Sequence, residues 1–154
     1  SSAASDVYKR QGMAGLRLGF AVGQKALIDA VKAVKSPYNV NTLSQTLGAI
    51  VLRHPQALKE ATEKILRSRQ ELLSGLEALG KEFPGRFCLL PCATNFATMK
   101  LTDGEQLFQY LGQRGIAIRY TGGLVRITCG TTGENREVLK EIADYFAATP
   151  AAEE

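Results

Sequence analysis

Short segments of apolar and β-branched residues predict a β-hairpin in the second half of the chain. The segments IAIRY and LVRITC are separated by Thr121-Gly122-Gly123, a composition typical of a tight turn. Successive side chains in a strand point to opposite faces. Arg126 should therefore occupy one face of its strand, while Val125 and Ile127 occupy the other.

The spacing of apolar residues elsewhere predicts several helices and a few more strands. Apolar residues recur at helical spacing in five segments, which cover residues 25–35, 42–52, 56–79, 104–112 and 134–147. The other predicted strands cover residues 16–22, 87–90 and 95–101. This order, a strand, three helices, and then strands and helices intermixed, predicts an α/β protein. Helices packed on a small sheet would form a two-layer sandwich.

Particular residues are expected to mark where the helices begin and end. Asn41 should cap the helix at residues 42–52. The apolar residues expected on the core face of that helix are Leu43, Leu47, Ile50 and Val51. Gly80 should end the helix at residues 56–79. The sequence Thr131-Thr132-Gly133-Glu134 has the composition of a capping box at the start of the last helix.

The composition is that of an ordinary globular protein. With 154 residues, 45% of them apolar and 22% charged, the chain should form one domain around a buried core. No apolar run approaches the roughly 20 residues that span a bilayer, and no segment resembles a secretory signal, so a cytoplasmic protein is expected. Cys88, Cys92, Cys129 and the single histidine His54 lack metal-ligand spacing, which predicts free thiols and no metal site. The net charge of +4 is scattered, which favours small anions over nucleic acid as partners.

Three arginines within predicted strands are candidate anion ligands. Arg119 and Arg126 belong to the two strands of the hairpin, and Arg17 interrupts the apolar run at residues 16–22. A guanidinium in such a position needs an anionic partner. Two interpretations stay open for each. Arg119 and Arg126 could bind a ligand or lie on a solvated sheet edge, and Arg17 could be an anion ligand or half of a structural ion pair.

Four segments together resemble one enzyme family, from about Gly12 to the C-terminus. They are AGLRLGFAVG, SPYNVNTLSQ, TNFATMK, and IAIRY followed by LVRITCGTTGEN. In combination they resemble the C-terminal portion of the histidinol-phosphate aminotransferases, within the class I/II pyridoxal-phosphate-dependent aminotransferase family. The resemblance implies the small C-terminal domain of fold type I at residues 41–149, and a remnant of the large cofactor-binding domain with a linker at residues 12–40. Residues 1–11 are expected to be a non-native leader and residues 150–154 a tail.

The resemblance also implies roles for four residues. A lysine of the family forms a Schiff base with the cofactor, pyridoxal 5'-phosphate, and an arginine eight residues later binds the cofactor phosphate; Lys9 and Arg17 match these positions. Arg126 matches the arginine that binds the α-carboxylate of glutamate. Arg119 matches a second arginine that helps to hold the substrate phosphate. Tyr8 departs from the small hydroxyl residue that precedes the family's lysine, so a surface lysine is the alternative for Lys9.

The function that the resemblance implies is transamination. In the family reaction, histidinol phosphate and 2-oxoglutarate become imidazole-acetol phosphate and glutamate, a step of histidine biosynthesis, and the enzyme is a homodimer. The chain is expected to be a fragment that is inactive alone, because the groups that stack on the cofactor ring and contact its pyridine nitrogen belong to the other half of the family fold. The alternatives are another amino-acid aminotransferase, a threonine-phosphate decarboxylase, and a non-catalytic anion-binding or dimerisation domain.

Overall fold

The computed structural model describes residues 14–19, 22–36 and 40–149. The predicted leader, the predicted tail and Lys9 lie outside these ranges. The chain divides into two compact units, Ser1–Glu63 and Lys64–Glu154. None of the helices in the described ranges is long and apolar enough to cross a membrane.

The first unit is helical over most of its described residues. Its elements are a 3-10 turn at Ala14–Leu16, helix α1 at Lys25–Val34, helix α2 at Thr42–Leu52 and the beginning of helix α3 at Pro55–Glu82. The predicted cap of α2 is confirmed, because the side-chain oxygen of Asn41 accepts a hydrogen bond from the backbone N–H of Ser44 at 2.8 Å. This bond satisfies one of the N–H groups that the first helical turn leaves without an intrahelical partner.

The predicted strand at residues 16–22 is wrong for the residues that the structure describes there. Leu16 ends the 3-10 turn, and residues 17–19 and 22 are irregular. A strand needs a neighbouring strand to pair its backbone N–H and C=O groups. All strands in the described ranges instead lie between residues 88 and 128 and pair with one another. An apolar run without a pairing partner therefore does not specify a strand.

The predicted core face of α2 is also wrong. The buried residues of α2 are Ser44 and Gly48, whereas Leu43 is 68% exposed and Leu47 and Ile50 are exposed as well. Helix α1 is similar, because none of its residues is buried. Spacing identifies the apolar face of a helix, but it does not show whether anything covers that face.

Helix α3 continues to Glu82, past the predicted end at Gly80. The backbone N–H of Phe83 donates to the carbonyl of Leu79 at 2.8 Å, so the helical hydrogen bonds continue across the glycine. The chain turns only at Gly85, whose φ is 79°. Because Leu79 is buried in the core, its packing outweighs the helix-propensity cost of one glycine, about 1 kcal/mol.

The second unit is a four-stranded antiparallel sheet with helices packed on one face, as the two-layer prediction requires. The strands are β1 at Cys88–Leu90, β2 at Phe96–Lys100, β3 at Arg119–Thr121 and β4 at Leu124–Thr128. Their spatial order is β1-β2-β4-β3. The helices are the rest of α3, α4 at Gly104–Gln113 and α5 at Thr132–Ala148. The predicted hairpin is confirmed, although β3 begins later than the segment IAIRY suggested.

The helix-facing side of the sheet forms the core. Ala97 and Met99 on β2 and Val125 and Ile127 on β4 are buried, and the residues between them point to the opposite face. The helices contribute Leu72, Leu76, Leu79, Leu107, Leu111, Val138, Ile142, Tyr145 and Phe146 to the same cluster. We call the opposite side the open face; Phe96, Thr98, Arg119 and Arg126 lie on it. The alternation predicted for the strand of Arg126 is therefore confirmed.

The predicted capping box joins β4 to α5. The hydroxyl of Thr131 accepts a hydrogen bond from the backbone N–H of Glu134 at 3.3 Å, and the Glu134 carboxylate accepts one from the Thr131 backbone N–H at 2.6 Å. The backbone N–H of Thr131, and then its hydroxyl, donate to the Glu134 carboxylate and lower the pKa of Glu134. Farther along, the Asn135 side chain donates to the Ser68 carbonyl at 3.0 Å and accepts from the Gly130 N–H at 2.9 Å. The start of α5 is thus fixed both locally and to α3.

A buried arginine fixes the other end of α5. Arg86 pairs with Asp103 at 2.8 Å and donates to the backbone carbonyl of Thr149. Its guanidinium carbon lies 4.6 Å from the centre of the Phe146 ring. The Tyr145 hydroxyl donates to the same Asp103 carboxylate at 2.9 Å. This buried charge is therefore paired, as burial of an ion requires.

The close approach of α3 and α5 gives a first prediction. A Cβ on Gly75 would overlap the Leu139 side chain and would lie 3.2 Å from its Cγ. We expect Gly75→Ala to lower the free energy of unfolding by up to about 2 kcal/mol, because overpacking costs about 1–3 kcal/mol and the propensity gain returns about 1 kcal/mol. Urea denaturation measures this change. Gly112→Ala on α4 is the matched control, since a Cβ there meets nothing within 4 Å, and it should stabilise the chain.

A second prediction concerns Tyr145. Burial, followed by its hydrogen bond to Asp103, raises the pKa of Tyr145 from 10.0 to about 12. The folded state therefore holds this proton more tightly, so the associated stability is full below pH 10 and is lost as pH rises through about 12. Over that pH range, the free energy of unfolding of the unmodified chain should fall by on the order of 2 kcal/mol through this group, and we expect Tyr145→Phe to remove that fall.

The measurement for Tyr145 is urea denaturation at a series of pH values from neutral to strongly alkaline. Tyr120→Phe, on β3, is the matched control. An alkaline loss of stability that is the same in Tyr145→Phe and in the unmodified chain would contradict the prediction.

Candidate functional site

The hairpin turn fixes the position of the two strand arginines. Gly122 and Gly123 have φ values of 58° and 78°, the left-handed values that a two-residue turn of type I′ requires at both central positions. Such a turn permits one register, in which Arg119 on β3 lies directly opposite Arg126 on β4. Arg126 is half-buried and Arg119 is exposed.

These two arginines form a pair of like charges without an acidic partner. No ion pair in the described ranges includes Arg119 or Arg126, and the four strands contain neither Asp nor Glu. Like charges directly opposite on neighbouring strands are destabilising. The arrangement therefore leaves a concentrated positive charge that an anion would neutralise.

Two further neighbours of Arg126 come from β2. Thr98 is its cross-strand partner on the side away from Arg119. The Phe96 ring lies beneath the guanidinium, with its centre 4.3 Å from the guanidinium carbon. Lys100 continues the same face and is exposed. The site thus offers several donors, one aromatic surface and no carboxylate from the strands.

The predicted phosphate ligand Arg17 lies in the first unit. It is exposed, and it is the only non-glycine residue in the described ranges with positive φ, at 51°. No ion pair in those ranges includes it, so the interpretation as half of a structural pair receives no support there. Positive φ in a residue with a Cβ is uncommon and is found at ligand-binding turns.

A cleft lies beside the start of α5. This cleft of about 570 Å³ is lined by Lys64 and Arg67 and also by Glu71 and Glu134, so its charges balance. Glu134 is engaged in the capping box, and Glu71 accepts a hydrogen bond from Thr132 at 2.9 Å. The cleft therefore lacks the unbalanced charge of the open face.

The thiols add no chemistry to the arginine site. All three cysteines are free, as predicted. Burial raises the pKa of Cys129, so this thiol is protonated near neutral pH. Among the described residues, no group of histidine, cysteine and acidic side chains is arranged to hold a metal ion.

Sequence reasoning found the two arginines but missed Phe96 and Thr98 as their neighbours. The alternation in TNFATMK places Phe96, Thr98 and Lys100 on one face of a strand, and this signal was available. The pairing of β2 with β4 was not, because nothing in the local sequence specifies which distant strand is the neighbour.

Comparison with known families shows the family to which the chain belongs. The family model described as aminotransferase class I and II matches residues 9–142. The chain belongs to the class I and II aminotransferases. The resemblance noted from the sequence segments is therefore confirmed. The match includes the positions of Lys9, Arg17, Arg119 and Arg126.

Individual aminotransferases show the extent of the similarity. The chain is 41% identical over 144 residues to a histidinol-phosphate aminotransferase from Thermoanaerobacter sp. (strain X514). The matched region covers 90% of this chain and 39% of the relative. The solved histidinol-phosphate aminotransferase of Clostridium acetobutylicum has a TM-score of 0.75 at 21% identity, covering 94% of this chain and 45% of that one. The solved histidinol-phosphate aminotransferase of Sinorhizobium meliloti, in complex with pyridoxal-5'-phosphate, has a TM-score of 0.71 at 21% identity. The match covers 90% of this chain and 39% of that one. The chain thus has the aminotransferase fold over about two fifths of the length of these proteins.

Aminotransferases of this family imply pyridoxal phosphate as the cofactor, and the residues present fit such a group. The cofactor carries a phosphate, for which a guanidinium is a suitable ligand. Arg17 provides an exposed guanidinium that has no acidic partner in the described ranges. The charge and exposure of this side chain are those that a phosphate ligand needs.

The like-charge pair gives a third prediction. We expect Arg119→Thr to raise the free energy of unfolding by about 0.2–1 kcal/mol at low ionic strength, because it removes the repulsion from Arg126. The gain should shrink as salt is added, since salt screens exposed charges. Urea denaturation at several salt concentrations measures both effects. Lys100→Thr is the matched control: its directly opposite partners, Leu124 and Cys88, are uncharged, and it lies only diagonally beside Arg126, so it should gain less stability than Arg119→Thr. A loss of stability in Arg119→Thr would mean that the two guanidinium groups do not repel each other.

Proposed function

We propose that this chain is the C-terminal part of a pyridoxal-phosphate-dependent transaminase that acts on histidinol phosphate. The reaction converts histidinol phosphate and 2-oxoglutarate to imidazole-acetol phosphate and glutamate, as in histidine biosynthesis. The observation that carries the proposal is the adjacent pair Arg119 and Arg126, held in register on the open face without an acidic partner. The similarity to histidinol-phosphate aminotransferases supports the choice of substrate.

Two neighbouring guanidinium groups suit an enzyme that binds two different anions in turn. Arg126 would bind the α-carboxylate of glutamate, since the guanidinium fork matches a planar carboxylate in a bidentate pair. Arg119, more exposed at the sheet edge, would bind the phosphate of histidinol phosphate, with help from Arg126. Holding the substrate at its anionic group positions the α-carbon for reaction.

Lys9 and Arg17 would hold the cofactor, the lysine through its amine and the arginine through the cofactor phosphate. When bound, pyridoxal phosphate supplies an electron sink for chemistry at the substrate α-carbon. The positive φ of Arg17 fits a turn that directs its side chain toward a ligand. The exposure of Arg17 leaves its N–H groups available for the phosphate oxygens.

We further propose that the chain functions in a longer, cytoplasmic, homodimeric protein and is inactive without the rest of it. The relatives are more than twice as long as the region that they share with this chain. Apolar residues of the first unit also lie on the surface: Val22, Leu27 and Val34 are 86%, 62% and 87% exposed. Such a surface is typical of an interface with further protein.

A fourth prediction separates the two arginines in the longer protein. Arg126→Ala should slow both half-reactions, whereas Arg119→Ala should slow the histidinol-phosphate half far more than the glutamate half. Loss of one member of a desolvated charge pair costs about 2–5 kcal/mol, or roughly 30-fold to several thousand-fold. Single-turnover rates, measured separately for each half-reaction over a range of substrate concentrations, distinguish binding from chemistry.

Arg114→Ala is the control for these variants, because Arg114 forms a partly exposed ion pair with Glu141. Losses below about 5-fold for both strand arginines in both halves would place them on a solvated surface. A large loss in Arg126→Ala combined with equal effects of Arg119→Ala on both halves would favour another amino-acid aminotransferase. Release of carbon dioxide from threonine phosphate would identify the decarboxylase instead. Absence of both amino transfer and carbon dioxide release in the longer protein would leave only a non-catalytic anion-binding or dimerisation domain.

A further inference from the structure

We infer that Phe96 is a positioning residue for Arg126: its ring supports one face of the guanidinium and directs the N–H edge toward the substrate carboxylate. This inference rests on the proposed function, in which Arg126 binds that carboxylate. Phe96 itself would not contact the reacting atoms.

The location of Phe96 argues against an ordinary core role. Its neighbours in β2, Ala97 and Met99, are fully buried against the helices. Phe96 is half-buried on the open face and is absent from the hydrophobic cluster that forms the core of the second unit. A large aromatic side chain on the open face therefore packs against something other than the core.

The contact that the structure provides is the guanidinium of Arg126. Phe96 is directly opposite Thr128, which places it diagonally beside Arg126 on the same face. The guanidinium carbon lies 4.3 Å from the ring centre, within the range of a cation–π contact. The face of an aromatic ring is electron-rich, so it attracts the cation without neutralising its formal charge. A carboxylate in the same place would form an ion pair with Arg126 and compete with the substrate.

The ring also counteracts the effect of Arg119. The charge of Arg119, directly opposite, pushes the guanidinium of Arg126 away from it, toward β2. Phe96 occupies that side and holds the side chain there. None of the cation–ring contacts in the described ranges involves Arg119, so only one arginine of the pair is fixed in this way. This difference matches the proposed roles, in which Arg126 binds a carboxylate in a bidentate pair and the more mobile Arg119 binds a phosphate.

The test compares aromatic and non-aromatic side chains at position 96 in the longer protein. Phe96→Leu should raise KM for glutamate about 2- to 30-fold, the range expected for a cation–π contact, and should change kcat by less than about 2-fold. A rise mainly in KM is expected because Phe96 acts through Arg126 on substrate binding and does not contact the reacting atoms. Phe96→Tyr should restore KM, since it keeps the ring face. Phe108→Leu on α4 is the matched control, because that ring lies against Tyr120 and not against Arg126.

A spectroscopic measurement on the 154-residue chain tests the contact without any turnover. In arginine-labelled chain, the Nε–Hε proton of Arg126 should show a ring-current shift that Phe96→Leu removes and Phe108→Leu leaves unchanged. If Phe96→Leu is unstable at the assay temperature, Phe96→Met carries the same comparison, because it is also non-aromatic and fills irregular space.

The outcomes separate the inference from the proposed function. Equal losses in Phe96→Leu and Phe96→Tyr, a fall in kcat without a rise in KM, or no ring-current shift would overturn the role of Phe96. A large loss in Arg126→Ala together with normal KM in Phe96→Leu would overturn only that role and would leave the proposed function standing. Normal glutamate kinetics in Arg126→Ala would overturn both.

Discussion

The antiparallel pairing of β2 with β4 is the constraint on which the second unit depends. Five residues of each strand pair in one register. In that register Ala97, Met99, Val125 and Ile127 all face the helices and are buried. A shift of one residue would turn all four to solvent and bring Arg126 into the core, where an unpaired charge is costly. Core packing therefore also determines where the arginine lies on the open face.

The arginines of the second unit differ in how far the protein compensates their charge. Arg86 is buried, pairs with Asp103 and contacts two aromatic rings. The chain itself therefore supplies the counter-charge that Arg86 needs. Within the described ranges, Arg126 has one ring and no acid, and Arg119 has neither. Because like charges directly opposite on neighbouring strands repel, a pair that the chain compensates so little is a candidate site for an external anion.

The first unit shows the opposite relation between sequence and packing. Its helices have clear apolar faces, yet the buried residues of α2 are Ser44 and Gly48, and α1 has none. Amphipathic helices gain most of their stability from burying an apolar face. The aminotransferases to which this chain is similar are about two and a half times as long as the region that they share with it. In a protein of that length, the additional residues would be available to cover such faces.

Local chemistry was sufficient to predict most elements of the second unit. The glycine pair of the hairpin, the capping box at Thr131 and the strand alternation around Arg126 each depend on interactions between residues close in sequence, so they follow from the amino-acid sequence alone. The same holds for the cap at Asn41. The contact between Phe96 and Arg126 and the continuation of α3 past Gly80 could not be inferred in this way. They depend on which distant segments meet, and the free energy of burial and strand pairing is determined by those partners and not by local propensity.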